Sequence, residues 1–541
     1  MKKFIKKIKS NKLLSILSVL IIGVFFILIA RVTYAYLAPV FNSAKTDVMG
    51  SSDTVDDFKF ELGDPLKIDA TPTTLKENGS NYTTSTTAKA LLKANSTKKT
   101  ATFNYYVYFQ IASNTFKYSD GSTPEIILTV TNPNGDEITS IEGLTYGTFN
   151  GVSGFDITTK KGLFNIANSY EITSNSSTTY TTQSWNITLT YLNLSIDQST
   201  NFGNSMGVNM FIRKDILLTT ISDVCTSGGN LTNCITTLSQ KSSSTFTDIY
   251  YHDSSLANGA GDNSYRYAGA NPNNFVCFGS DASPCPTDNL YRIIGVFDEN
   301  YHGVTGKQLV KLIKYDYATS ALLGTDGDYC GSSTPSTSYY KGSLTTINTY
   351  YWNYKATGSA TNTWSTSLLN KTNLNTNFIN NIGTTWANKI ATVTWKVGGN
   401  TYANIREVVP SVAYTNEITN PDATNSTDNA TTYSAKIGLM YVSDYGFGAV
   451  PEAWATTIYN YNGSVNGSTI RSQNWMHMGY VDWTISRDSG NSSFAFVVYG
   501  NGLVDDYRVS LGIGVRPSFN LLSSTTYVSG SGSMSDPVRI N

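Results

Sequence analysis

The residues of this 541-residue chain that could do redox, metal or nucleophilic chemistry are few: five cysteines, three histidines and scattered carboxylates. Cys225 and Cys234 flank a Gly/Asn-rich loop, residues 226–233, while Cys277 and Cys285 flank Phe278 to Pro284. Two local disulfides are the economical pairing, each stabilising by about 2–3 kcal/mol on the loop-entropy model, with Cys330 left over. There is no CxxC, and His252, His302 and His477 form no ligand-spaced set with the cysteines, which argues against zinc. None of the histidines lies in a nucleophile motif, so a Ser-His-Asp site would have to assemble from distant positions. The acid pair Asp505-Asp506 falls at a predicted turn or strand end, where such pairs are more often solvated than catalytic. Calcium ligation by Asp482, Asp488 and Asp505 stays open, without an EF-hand pattern. No catalytic residue, metal or cofactor is therefore assigned.

Binding chemistry has better candidates. Between Trp475 and Arg508 the chain concentrates aromatic and charged side chains, although only 14% of its residues are charged. The ligand-binding candidates are Asp482, Arg487, Asp488, Tyr499, Asp505, Asp506, Tyr507 and Arg508, because aromatic anchors mixed with charge are typical of contact surfaces. Trp483 and Arg516 read instead as core, Arg516 buried against a carboxylate or backbone carbonyls. Asp482, Asp505 and Tyr507 read as exposed alternates.

The elements that position these residues begin with an export signal. Lys2, Lys3, Lys6, Lys7, Lys9 and Lys12 precede the uncharged, mostly apolar run Leu13 to Ala30, which Arg31 closes. Positive charge ahead of such a run keeps the N-terminus cytoplasmic and exports the downstream chain. Its 18 residues exceed the roughly 7–15 of a cleavable signal core and barely suffice to span a bilayer. Thr33-Tyr34-Ala35 offers a cleavage site, so a retained transmembrane helix and a removed signal peptide both stay open. The remaining composition fits a secreted protein: net charge −1 carries no nucleic-acid footprint, and 36 tyrosines among abundant Ser, Thr, Asn and Gly suit extracellular contact surfaces. With 40% hydrophobic and 12% aromatic residues, there is ample material for folded cores.

The chain is expected to comprise a basic arm and signal or anchor (1–35), a spacer (36–57), an antiparallel β-sandwich (58–214), a connector (215–245) and an α+β domain (246–541), mainly β overall with some helix. Alternation at Phe58, Phe60, Leu62 and again at Trp185, Ile187, Leu189, Tyr191, with turns such as Asn132-Pro-Asn-Gly135 between, supports the sandwich. The connector is expected to hold a short helix from Asp215. Beyond it, Asn289–Phe297 and Gln308–Tyr315 read as an antiparallel strand pair and Ser367–Ile382 as a short helix stopped by Gly383. Ile390–Val397 reads as an alternating strand. Phe494 to Tyr499, Gly500-Asn-Gly502 and Leu503 onward read as a hairpin, and Tyr527 to Ile540 as a last strand pinned against the domain.

The signal ending in Thr33-Tyr34-Ala35-Tyr36, followed by a sandwich of this length, resembles the TasA/camelysin group of Gram-positive surface and biofilm-fibre proteins. Gly514-Val-Arg-Pro-Ser-Phe-Asn-Leu521 and the Gly530-Ser-Gly ending before Pro537 resemble a surface-protein family common in gut Firmicutes and mollicute-like bacteria. Asn271–Gly279, Asn289–Gly295 and Trp483-Thr-Ile-Ser-Arg487 are also similar to it, so that the resemblance covers about residues 245 to 541. Its Trp-Thr, Arg and Gly-Val-Arg order is similar to C-type-lectin-like and formylglycine-generating-enzyme-like domains. The Arg-Gly-Gly-Ser-Trp element usual there is missing, with Asp488-Ser-Gly-Asn-Ser492 in its place. The resemblance implies a lectin-like fold whose ligand face lies on residues 475–512. The redox cysteines of the formylglycine-generating enzymes have no counterpart after Cys330, so that activity is not carried over.

The function expected is a cell-surface adhesin or ligand-binding protein, membrane-anchored or secreted, meeting an extracellular glycan or protein ligand and no nucleic acid. Its alternatives are a TasA-like structural fibre or matrix component, capable of self-association, and an extracellular enzyme of unknown reaction.

Overall fold

In the first folded segment, strands alternate inward apolar and outward polar residues, and two sheets close their apolar faces on each other. The computed structural model describes residues 56–71, 79–325, 340–344, 347–354, 360–422 and 430–541. The basic arm, the hydrophobic run, the cleavage tripeptide and Cys330 lie outside the described residues. Among those described, no helix is long and apolar enough to cross a membrane. Strand makes up 37% and helix 19%, and the named strands pair antiparallel, so the chain is mainly β with some helix. It divides into two units, at Leu217 and Leu218.

The first unit is a β-sandwich. Its ten strands are β1 (Asp57–Glu61), β2 (Leu66–Asp69), β3 (Tyr82–Lys93), β4 (Ala101–Asn114), β5 (Ile126–Thr131), β6 (Thr145–Phe149), β7 (Val152–Asp156), β8 (Gly162–Ser174), β9 (Thr181–Tyr191) and β10 (Ser205–Arg213). One sheet runs β1-β3-β9-β5-β7-β6 and the other β2-β10-β4-β8. The period of two explains the core: Tyr105, Val107, Phe109 and Ile111 of β4 meet Trp185, Ile187, Leu189 and Tyr191 of β9 in one buried cluster. The Trp185 indole N–H donates to the Tyr105 hydroxyl at 3.0 Å and that hydroxyl donates to Gln183 at 2.7 Å, which satisfies the polar atoms that burial of these rings would otherwise orphan.

The second unit takes in residues read from sequence as a connector. Ile221, Cys225, Leu231, Ile235 and Leu238 all belong to its core, so 218–245 is a wall of this unit rather than a link. No helix starts at Asp215. The helix is Leu231–Lys241, where the Asn230 side chain accepts the Asn233 N–H at 3.1 Å and the 1, 5, 8 spacing of Leu231, Ile235 and Leu238 turns one face inward. A seven-stranded sheet carries the unit in the order Ile249–Tyr251, Tyr265–Tyr267, Leu290–Phe297, Leu309–Lys314, Ser518–Asn520, Ile437–Gly438, with Phe275–Cys277 also paired to Leu290–Phe297. The strands Leu290–Phe297 and Leu309–Lys314 are buried along their whole length, Arg292, Lys311 and Lys314 included, and form the antiparallel pair expected. The 367–382 helix forms with a π-helical stretch, Leu369–Phe378, burying Leu369, Leu374 and Phe378.

The motifs that carry the family resemblance are core and closure elements. Arg292 is buried, donating to Asn274 at 2.6 Å and the Pro272 carbonyl at 2.9 Å between the rings of Phe275 and Trp475, and burial lowers its pKa to about 9. The C-terminal strand lies beside Phe275–Cys277: Val538 N–H donates to the Phe275 carbonyl and Phe275 N–H to the Gly532 carbonyl, each at 2.8 Å. Gly532 has φ +90° and a Cβ there would sit 2.5 Å from the Asn273 carbonyl, so only glycine closes this contact.

Both expected disulfides form, Cys225–Cys234 and Cys277–Cys285, and both belong to the second unit. Structural disulfides fit an oxidising compartment. Their loops are short, so each is expected to stabilise by about 2–3 kcal/mol. Reducing both should therefore lower the unfolding midpoint of the second unit and leave that of the first unchanged. Differential scanning calorimetry with and without reductant checks this, and a shift in the first unit's transition would contradict it.

Candidate functional site

A three-stranded antiparallel sheet, Asp482–Arg487, Phe494–Val498 and Val504–Arg508, holds the sequence-predicted binding residues and leaves the last strand at its edge. The expected hairpin forms: Tyr499 N–H donates to the Leu503 carbonyl and Gly502 N–H to the Tyr499 carbonyl, each at 2.8 Å. Gly502 has φ +97° and would place a Cβ 2.8 Å from the Arg471 side chain. Ala495, Phe496, Val497 and Val498 are buried, so the middle strand fixes the hairpin to the core while the edge strand meets solvent.

The structure separates the eight predicted residues into three groups. Asp482 and Arg487 are interior, which overturns the expected exposure of Asp482. Asp482 receives the Arg516 Nε–H at 2.5 Å, while Arg516 also donates to the Met476 carbonyl at 2.7 Å. Arg487 donates to the Val397 carbonyl at 2.5 Å, and burial lowers its pKa to about 10. The reason is positional: along Asp482–Arg487 every residue is buried, so alternation does not give this strand a solvent face. Asp488 is also buried, accepting the backbone N–H of Gly490 at 2.8 Å and of Tyr402 at 3.2 Å. It supports the surface from beneath. Tyr499, Asp505, Asp506 and Tyr507 are half-buried at the surface and Arg508 is exposed.

These five gain neighbours that the sequence did not indicate. Arg406 donates to Asp505 at 3.1 Å and lies 4.1 Å over the Tyr402 ring and 4.7 Å over the Tyr459 ring. The short helix Tyr402–Ile405 and the turn Ile458–Asn460 bring these groups against the edge strand. Tyr499 and Tyr507 pack edge to face with centroids 5.9 Å apart, and the Arg508 guanidinium lies 5.8 Å from the Phe494 ring. Partial burial, then the charges of Asp505 and Asp488, push the Asp506 pKa up to about 6, against the opposing pull of Arg406. The site thus offers aromatic edges, two guanidiniums and a pair of adjacent carboxylates. Such a set suits contact with a polar ligand.

Asp482, Asp488 and Asp505 do not converge. Among the described residues no group of three or more His, Cys, Asp or Glu side chains could hold a metal ion. Trp483 and Arg516 serve the core, the Trp483 indole N–H donating to the Tyr350 carbonyl at 2.8 Å. Arg406, Tyr402 and Tyr459 lie about a hundred and about fifty residues upstream of the hairpin, with no motif to link them to it. No protein-family model matches the chain, and no curated protein matches it either.

Proposed function

We propose that this chain is an exported, cell-surface binding protein, anchored by its N-terminal segment or secreted, whose second unit is a C-type-lectin-like α+β domain with residues of the edge strand Val504–Arg508 as its ligand face. The observation that supports it best is the edge strand itself, where Asp505, Asp506 and Tyr507 are half-buried at the surface and Arg508 is exposed, on a hairpin whose partner strand is locked in the core. Preorganised side chains on a rigid element lose little entropy on contact, which is how a small aromatic and charged patch achieves affinity. The two disulfides support an oxidising location.

The test is an array of glycans and extracellular proteins probed with the full chain and with a chain carrying Asp505→Asn, Asp506→Asn and Arg508→Gln together. The variant should lose affinity by about tenfold or more at every ligand bound by the parent, as removal of contact-surface anchors does. Its thermal unfolding should change little, since the one ion pair lost, Arg406 with Asp505, is a surface pair worth at most about 1 kcal/mol. Equal binding by parent and variant would refute this face. A structural-fibre reading is favoured by the open edges of the first unit, β1 and β6 in one sheet and β2 and β8 in the other. It requires the purified chain to form sedimentable filaments.

A further inference from the structure

The interior of the second unit holds a primary amine and a carboxylate in contact. Lys311, on the strand Leu309–Lys314, and Asp444, in the helix Val442–Gly448, are both fully buried, and Lys311 Nζ lies 2.6 Å from Asp444 Oδ2. Three aromatic rings surround the amine, Tyr441 at 4.2 Å, Tyr301 at 4.8 Å and Trp395 at 5.0 Å. The Tyr301 hydroxyl bridges the pair, accepting from Lys311 Nζ at 2.6 Å and donating to Asp444 Oδ1 at 2.7 Å. Asp444 Oδ2 also accepts the Tyr441 backbone N–H at 2.9 Å, and the Arg266 guanidinium stands 3.8 Å from Oδ1. An ion pair in such a place loses most of its hydration, and desolvation penalises a charged pair relative to a neutral one. Burial accordingly lowers the Lys311 pKa to about 8.

We infer that Lys311 and Asp444 join through a side-chain amide, formed within the folded chain by condensation with release of one water. The neutral amine attacks Cγ of the protonated carboxyl group. Nζ passes a proton to the Tyr301 oxygen, and the Tyr301 proton passes to Oδ1. The tetrahedral centre keeps Oδ2 as its oxyanion, held by the Tyr441 N–H. It collapses with loss of Oδ1 as water, and Oδ2 becomes the amide carbonyl, still accepting from Tyr441. No oxidant or further reactant is needed, because one C–N bond forms, one C–O bond breaks and the protons move through one hydroxyl. Proximity supplies the driving geometry, since fixing two reactants in contact replaces a bimolecular encounter. The bond would tie a strand of the main sheet to a helix 133 residues further along the chain.

Tryptic peptide mapping by mass spectrometry of the full chain, unfolded and with its disulfides reduced, tests this directly. Acylated Lys311 resists cleavage, so the expected species is Gln308–Lys314 joined to Ile437–Arg471 and lighter than their sum by one water. Recovery of Gln308–Lys311 cut after Lys311, together with unmodified Ile437–Arg471, would overturn the bond and leave a buried ion pair. A Tyr301→Phe chain keeps the ring and loses the relay, so it should form the linked species about a hundredfold more slowly after folding. Linkage at the parent rate in that chain would overturn the role given to Tyr301.

Discussion

Replacing Arg516 with methionine should cost the second unit about 3–5 kcal/mol, the usual penalty for removing one partner of a buried pair. Arg516 and Asp482 are each nearly inaccessible to solvent, at 2% and 3% side-chain exposure. The Asp482 Oδ1 has no hydrogen-bond partner among the described residues, so Arg516 is the main compensation for this carboxylate. Burial already raises the Asp482 pKa to about 6 against the pull of Arg516, and without the guanidinium it should rise further. A second chain with Asp482→Leu and Arg516→Met together should recover part of the loss, because no charge is then stranded. Urea unfolding followed by tryptophan fluorescence is the measurement, since seven of the eight tryptophans, Trp352 to Trp483, belong to this unit. A single-variant loss below about 1 kcal/mol would show that the pair is solvated, as a surface ion pair is.

The second unit should become less stable as the pH is raised from 5 to 8, and Glu417→Gln should flatten that slope. Glu417 is fully buried, and burial raises its pKa to about 7 from 4.5 although it accepts N–H groups of Val442 at 3.1 Å and Ser443 at 3.0 Å and the Ser486 hydroxyl. The folded state therefore binds a proton that the unfolded chain releases above about pH 4.5. Stability from this group is complete below the unfolded value and declines as pH rises through the folded one, by about 3 kcal/mol at most. Asp482 and Asp248, each raised to about 6 by burial, act in the same direction. His252, His302 and His477, whose pKa values burial lowers, act oppositely, losing stability as pH falls below their unfolded value near 6.5. Comparing parent and Glu417→Gln unfolding free energies at pH 5 and 8 cancels these shared contributions. An identical slope in both chains would mean that Glu417 is ionised in the fold.

Several features were legible in the residues because short-range chemistry decides them. The alternation of Trp185, Ile187, Leu189 and Tyr191 can satisfy one buried face only as a strand, and Gly500-Asn-Gly502 can reverse the chain where a bulkier residue would clash. Cysteines eight or nine residues apart pair because the loop between them costs little to close. Trp483 and Arg516 were legible as core too, since a guanidinium in an apolar stretch needs a buried acceptor.

The spacing of residues by itself determined the strand-rich secondary structure, the hairpin and the disulfide loops, which depend on alternation and on contacts a few residues long. Only the tertiary structure decided which acids meet solvent: Asp482 and Asp505 look alike as aspartates on the two outer strands of one sheet, yet one faces Arg516 in the core and the other Arg406 at the surface. It also assembled Lys311, Tyr301 and Asp444 from three separate elements. Burial and long-range pairing depend on where distant segments pack, and local alternation carries no information about that.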